Sequence, residues 1–161
     1  MTGLKIAGAL LLSVAGALLG GTRTAELRRR LALLRELSTG LGLMADELTA
    51  LRTPLPGILT RLRDRPFFML VSCGFGGEPF PRLWARAAET LDLAPTDREA
   101  LASLGAVLGR YDAATQTAEL TLVRRRLDRS ASALEAELAG RANTFAALGA
   151  SAGAILAVIL F

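Results

Sequence analysis

TAELRRRLALLRELSTGLGLMADELTAL, residues 24–51, decides the architecture of this chain. Leu27, Leu31, Leu34, Leu41, Leu48 and Leu51 recur at alternating intervals, with Ser38 and Ala45 filling the register. Spacing of three and four lays apolar side chains along one stripe of a helix, as in a coiled coil. Gly40 and Gly42 interrupt it. Each costs roughly 1 kcal/mol against alanine in a helix, so a bend is expected there. The run ends at Thr53-Pro54-Leu55-Pro56-Gly57, because proline lacks an amide proton and clashes with the preceding turn.

A second stretch, residues 113–140, answers the first. Asp112 is its expected N-cap. Leu120, Val123, Leu127, Ala131, Leu134 and Leu138 mark its stripe. Each stretch reaches roughly 40 Å at about 1.5 Å per residue. Matched lengths anchored at one end predict an antiparallel pair.

Between them the sequence predicts short helices. One runs from about Pro56 to Arg63, and Pro66 opens another apolar stretch that Gly74, Gly76 and Gly77 close. A third starts at Phe80 or Pro81. Thr96-Asp97-Arg98-Glu99 has the form of a capping box for a fourth, which ends near Gly109. Trp84 and Cys73 are expected in the core. No segment alternates convincingly enough for a strand. The fold class is therefore all-α: a bundle on two long antiparallel helices with several short ones.

Outward from the bundle the charge disappears. All eighteen arginines and all fifteen acidic residues lie between Arg23 and Arg141, and Lys5 alone is charged outside that window. Residues 6–22 and 142–161 carry no charge. Spanning about 30 Å of hydrocarbon takes about 20 apolar residues. The tail is long enough, and the head becomes so if Lys5 snorkels. The domains expected are a transmembrane helix at 1–22, a cytoplasmic helical bundle at 23–141 and a transmembrane helix at 142–161. A cleaved secretory signal is the competing reading of the head. Arg23, Arg28, Arg29 and Arg30 follow the first span and Arg141 precedes the second, which puts the middle in the cytoplasm.

Several chemistries are disfavoured at once. The chain has no histidine, which removes most acid–base, zinc and triad chemistry. Its one cysteine cannot form an internal disulfide. An excess of three arginines over acids in the middle is not the load of a nucleic-acid binder. The Gly74–Gly77 stretch lacks the Lys-Ser/Thr of a phosphate loop. No cofactor, metal, catalytic group or small-molecule substrate is expected.

Three sets of residues are candidates for contact. Arg110, Asp112 and Gln116, at the junction of the last two helices, are a candidate partner interface; the plainer reading is a cap with a local ion pair. Gly16 with Gly20, and Gly149 with Gly153, form GxxxG spacings that let membrane helices approach closely, although a chain rich in Ala and Gly produces such spacings readily. Arg28, Arg29 and Arg30 lie close enough to the first span to meet anionic head groups, or form a solvated helix face.

The layout resembles the stage III sporulation protein AB family. The likeness lies in the two terminal spans, the Thr53-Pro54-Leu55-Pro56 elbow, the closing segment from Leu148 to Leu160, and above all Leu104-Gly105-x-x-Leu108-Gly109-Arg110-Tyr111-Asp112 followed by Gln116. Tyr111 departs from the small polar residue usual in that motif. The resemblance implies a helical bundle similar to the cytoplasmic domains of the type II secretion platform protein. It also implies a sporulation-specific, secretion-like complex between mother cell and forespore, sited in the outer forespore membrane with the bundle in the mother-cell cytoplasm. The expected partners are other subunits of the stage III sporulation A complex, especially its AA ATPase. The chain is then a non-catalytic scaffold. The alternative is a membrane-bound sensor or adaptor that engages anionic lipid through its basic juxtamembrane segment.

Overall fold

Residues 2–51, 53–74 and 76–160 have a described backbone in the computed structural model of the chain. Side-chain surroundings are described for residues 24–50, 53–74 and 76–141. Helix α1 spans Thr2–Asp46, followed by one π-helical turn at Glu47–Leu51. Then come α2 (Leu55–Arg61), α3 (Pro66–Gly74), α4 (Phe80–Glu89), α5 (Pro95–Val107) and α6 (Ala113–Leu160). Among the described residues there is no strand. The chain divides into two units, residues 32–132 and residues 1–31 with 133–161.

Within residues 32–132, α1 and α6 run antiparallel in one fixed register. Ser38 donates a hydrogen bond to Asp128. Four residues further along α1, Gly42 lies against the Arg124 guanidinium. Seven more bring Thr49 beside Thr117, hydroxyl to hydroxyl at 3.3 Å. Each step up α1 matches an equal step down α6. Ser38, a polar residue in an apolar stripe, is buried there. A partner for the buried Ser38 hydroxyl disfavours slipped alignments, because a slip would leave that hydroxyl unsatisfied.

The buried face of α1 is wider than a heptad stripe. It includes Leu34, Leu37, Leu41, Met44 and Leu48. The breadth follows from packing on two sides, against α6 and against the short helices. From α6 the core takes Leu120, Val123, Leu127 and Ala131. Around Trp84 gather Phe67, Phe68 and Phe80. Phe67 meets Trp84 edge-on, 4.9 Å between centroids at 88°, an arrangement the ring quadrupoles favour. The indole Nε1 donates to the Leu101 carbonyl at 2.7 Å, so α4 is bonded to α5 through the core.

Three local expectations change. Helix α1 runs unbroken through Gly40 and Gly42. These glycines make room for neighbours: a Cβ on Gly40 would overlap the Phe68 ring. The helix α5 starts at Pro95 after Ala94, with no side-chain cap. Proline's fixed φ suits the first helical turn, and Asp97 is drawn inward to Arg126 at 3.2 Å instead. The Thr96–Glu99 box does not form. Cys73, expected in the core, is exposed. Phe67, Phe68 and Val71 take the inner face of α3, which turns Cys73 outward.

After α1 the elbow is braced by one carboxylate. Glu47 accepts from Arg61 Nη1 at 2.7 Å and from the Thr53 hydroxyl at 2.9 Å. Pro54, at φ −59° and ψ 145°, then leads into α2. Among the described residues no helix is long and apolar enough to cross a membrane. The side chains of the two uncharged stretches, 6–22 and 142–161, lie outside those residues.

Candidate functional site

The loop between α5 and α6 is short and fully specified. Leu108 leaves α5 in an extended conformation, φ −64° and ψ 128°. Gly109 follows at φ +77°, a region L side chains rarely enter, and a Cβ there would also press on Leu55 at 3.3 Å. Arg110 N donates back to the Val107 carbonyl at 3.2 Å. Asp112 then caps α6. Its carboxylate accepts the Thr115 amide at 3.1 Å and the Thr115 hydroxyl at 2.6 Å. The expected cap is borne out.

Gln116 holds this loop from inside. It is buried. Its Oε1 accepts the Gly109 amide at 3.0 Å and its Nε2 donates to the Tyr111 carbonyl. One side chain therefore closes both ends of the Gly109–Tyr111 segment. Of the three residues grouped in the sequence, Arg110 and Asp112 face solvent, while Gln116 points inward and positions them. Tyr111 joins the exposed pair, with 58% of its surface open. An aromatic residue between two helix ends was the available signal for it.

The two bonds from Thr115, side chain first and backbone second, hold the Asp112 carboxyl below its usual range. A depressed pKa means the charge-assisted part of the cap is present above the ordinary carboxylate pKa. It is lost as pH falls through the folded-state value. Asparagine can cap but cannot carry the charge. Asp112→Asn is therefore expected to lower stability at pH 7, and the gap to the parent should shrink as the carboxylate is protonated. Urea unfolding midpoints of both chains between pH 7 and pH 3 check this; a gap that stays constant would refute the charge argument.

Elsewhere, Arg28 and Arg29 are exposed on α1. Arg30 is half-buried, and with Glu26, Leu27 and Arg141 it lines a shallow hollow. Arg141 also pairs with Glu137 at 2.6 Å. The triplet thus splits into two outward arginines and one drawn into local packing. Gly16, Gly20, Gly149 and Gly153 lie outside the residues whose side-chain surroundings are described. Among the described residues, no three His, Cys, Asp or Glu side chains gather to hold a metal.

Residues 5–161 match the family described as stage III sporulation protein AB. No curated protein and no solved structure matches the chain.

Proposed function

The chain belongs to the stage III sporulation protein AB family, and on that premise we propose that it is a non-catalytic, membrane-anchored scaffold whose bundle docks a cytoplasmic ATPase. The family gives it a role in sporulation. The finer reading places it in the outer forespore membrane, held by residues 1–22 and 142–161. Its bundle faces the mother-cell cytoplasm, where the AA ATPase of the same complex is the partner.

One observation carries the docking site: an Arg–Tyr pair projects from a loop already fixed by Gln116. Arginine and tyrosine are the residue types that most often dominate binding energy at interfaces. Asp112 and Gln116 then serve the site chiefly by shaping it.

Arg110→Glu tests this most cleanly, because the only hydrogen bond described for Arg110 is through its backbone. The full-length chain in detergent should bind the ATPase about 30-fold more weakly after that change, the loss typical of a hot-spot residue. Its helical content should be unchanged by circular dichroism. Undiminished binding would remove the loop from the interface.

The second reading, an adaptor for anionic lipid, is favoured by the exposure of Arg28 and Arg29. It predicts vesicle binding that weakens with salt and is lost when both become serine.

A further inference from the structure

Along α6 one stripe of side chains faces solvent. Ala114, Ala118, Leu122, Arg125, Arg129 and Ser132, spaced by three and four, are all exposed. They lie opposite the buried Leu120, Val123 and Leu127. Leu122 shows 58% of its surface. The stripe holds two positive charges and no negative one. Arg110 and Tyr111 of the α5–α6 loop immediately precede it in the chain.

The charges beside the stripe are settled inside the bundle. Arg126 pairs with Asp97 of α5 at 3.2 Å. Arg124 stands 3.9 Å from Asp128, which also accepts from Ser38. Asp112 is engaged by Thr115, and Glu119, half-buried, lies off the stripe. Arg125 and Arg129 are different. Arg129 Nε donates to the Arg125 carbonyl at 3.2 Å, which leaves both charges standing. Among the described residues no carboxylate pairs with either guanidinium. Like charges one helical turn apart repel each other, and the bundle supplies nothing to offset that repulsion.

We infer, resting on the docking role of the α5–α6 loop, that this stripe continues the same docking surface and that the partner presents acidic side chains to it. Charge complementarity selects that chemistry. Arg110 in the loop and Arg125 and Arg129 on the stripe are charges the bundle leaves uncompensated, and all three are positive. Leu122 adds an exposed apolar contact that a protein surface can use and a small anion cannot. Two arginines also fall short of the cluster of about four to eight that holds a segment on anionic lipid. Rim charges of this kind act chiefly on the rate of encounter, whereas a buried anchor acts on the rate of release. The stripe therefore steers the partner in, and the loop holds it.

The test separates those two rates. Full-length chain in detergent micelles meets the AA ATPase on a biosensor at about 50 mM and about 500 mM salt, which brackets the range over which exposed charges are screened. Arg125→Glu combined with Arg129→Glu should slow association about tenfold at the lower salt and by less than about twofold at the higher, with helical content unchanged. Arg63→Glu combined with Arg82→Glu makes the same change of net charge at exposed positions elsewhere in residues 32–132. That control should slow association by less than about twofold at either salt. If the α6 pair leaves association untouched while Arg110→Glu still weakens binding, the loop keeps its role and the acidic partner surface is refuted. A parent chain that binds no ATPase removes the docking role and the acidic surface together. Equal slowing by both pairs would reduce the effect to net charge, and equal slowing at both salts would exclude steering; either overturns the assignment. So does loss of binding to phosphatidylglycerol vesicles with ATPase association unchanged, which would give these arginines to lipid.

Discussion

Trp84→Ala is expected to remove about 3–5 kcal/mol of stability from the bundle. The indole is fully buried, at 0% exposure, and three phenylalanine rings stand against it, from 4.9 to 6.2 Å between centroids. Truncation opens a cavity too well walled to collapse. It also removes the indole's hydrogen bond to the Leu101 carbonyl, which keeps only its partner within α5, a further loss of about 0.5–1.5 kcal/mol. The measurement is urea unfolding followed by circular dichroism, because Trp84 is the chain's only tryptophan and its fluorescence vanishes with it. A slope of about 1–3 kcal/mol per molar urea turns the loss into a midpoint shift of a molar or more. Trp84→Phe separates the two effects, keeping most of the ring and losing the donor. A Trp84→Ala chain destabilised by under about 1 kcal/mol, below the range for buried aromatic truncations, would mean that the ring cluster does not hold α3, α4 and α5 together.

Two glycine-to-alanine changes are expected to move stability in opposite directions. In a helix the substitution gains about 1 kcal/mol from backbone entropy. At Gly140 a Cβ meets nothing within 4 Å, so the full gain should appear. At Gly40 the same Cβ overlaps the edge of the Phe68 ring. That ring has no exposed surface and packs against both Phe67 and Trp84, so it cannot swing aside. Overpacking a filled core costs about 1–3 kcal/mol, which outweighs the propensity gain. Gly40→Ala should therefore lower the unfolding midpoint while Gly140→Ala raises it. Equal gains at both positions would show that α1 is not seated on α3 at Gly40.

The same glycine shows where sequence reading stops. From the sequence, Gly40 and Gly42 look like weak points in a helix, because propensity counts only the helix itself. Their purpose lies in residues 28 positions or more away, Phe68 and Arg124, and no local pattern points there. The long helices were legible because a repeat sustained over 28 residues has one satisfying conformation. Their antiparallel pairing was legible from matched lengths, but its register depends on Ser38 meeting Asp128. The start of α5 was misread because Thr96 and Glu99 have the right spacing for a box, while Pro95 fixes the first turn two residues earlier, with Ala94 at the cap. In α3 the uncharged run of nine residues, polar only at Ser72, offers two apolar faces. Periodicity says that such a helix forms, yet it does not say which face turns inward, and so Cys73 was placed on the wrong side.

At the candidate site the sequence brought together the right neighbourhood and assigned one role incompletely. Arg110 and Asp112 are exposed as an interface requires. Gln116 was grouped with them as a third contact, because a polar residue one turn into a helix commonly faces water. Only the positive φ at Gly109 reveals a loop that needs an internal acceptor and donor at that distance.

That loop has a thermodynamic consequence. The Gly109 and Arg110 amides and the Tyr111 and Asp112 carbonyls are already bonded to Gln116 and to the end of α5, so the backbone from Gly109 to Asp112 has little freedom left to surrender. A partner arriving at the tip would immobilise chiefly the side chains of Arg110 and Tyr111, at about 0.5–1.5 kcal/mol each. The remaining ordering cost was met when the chain folded. Such a preorganised tip binds without first selecting a rare conformer, and loosening it at Gln116 would weaken association without removing a single intermolecular contact.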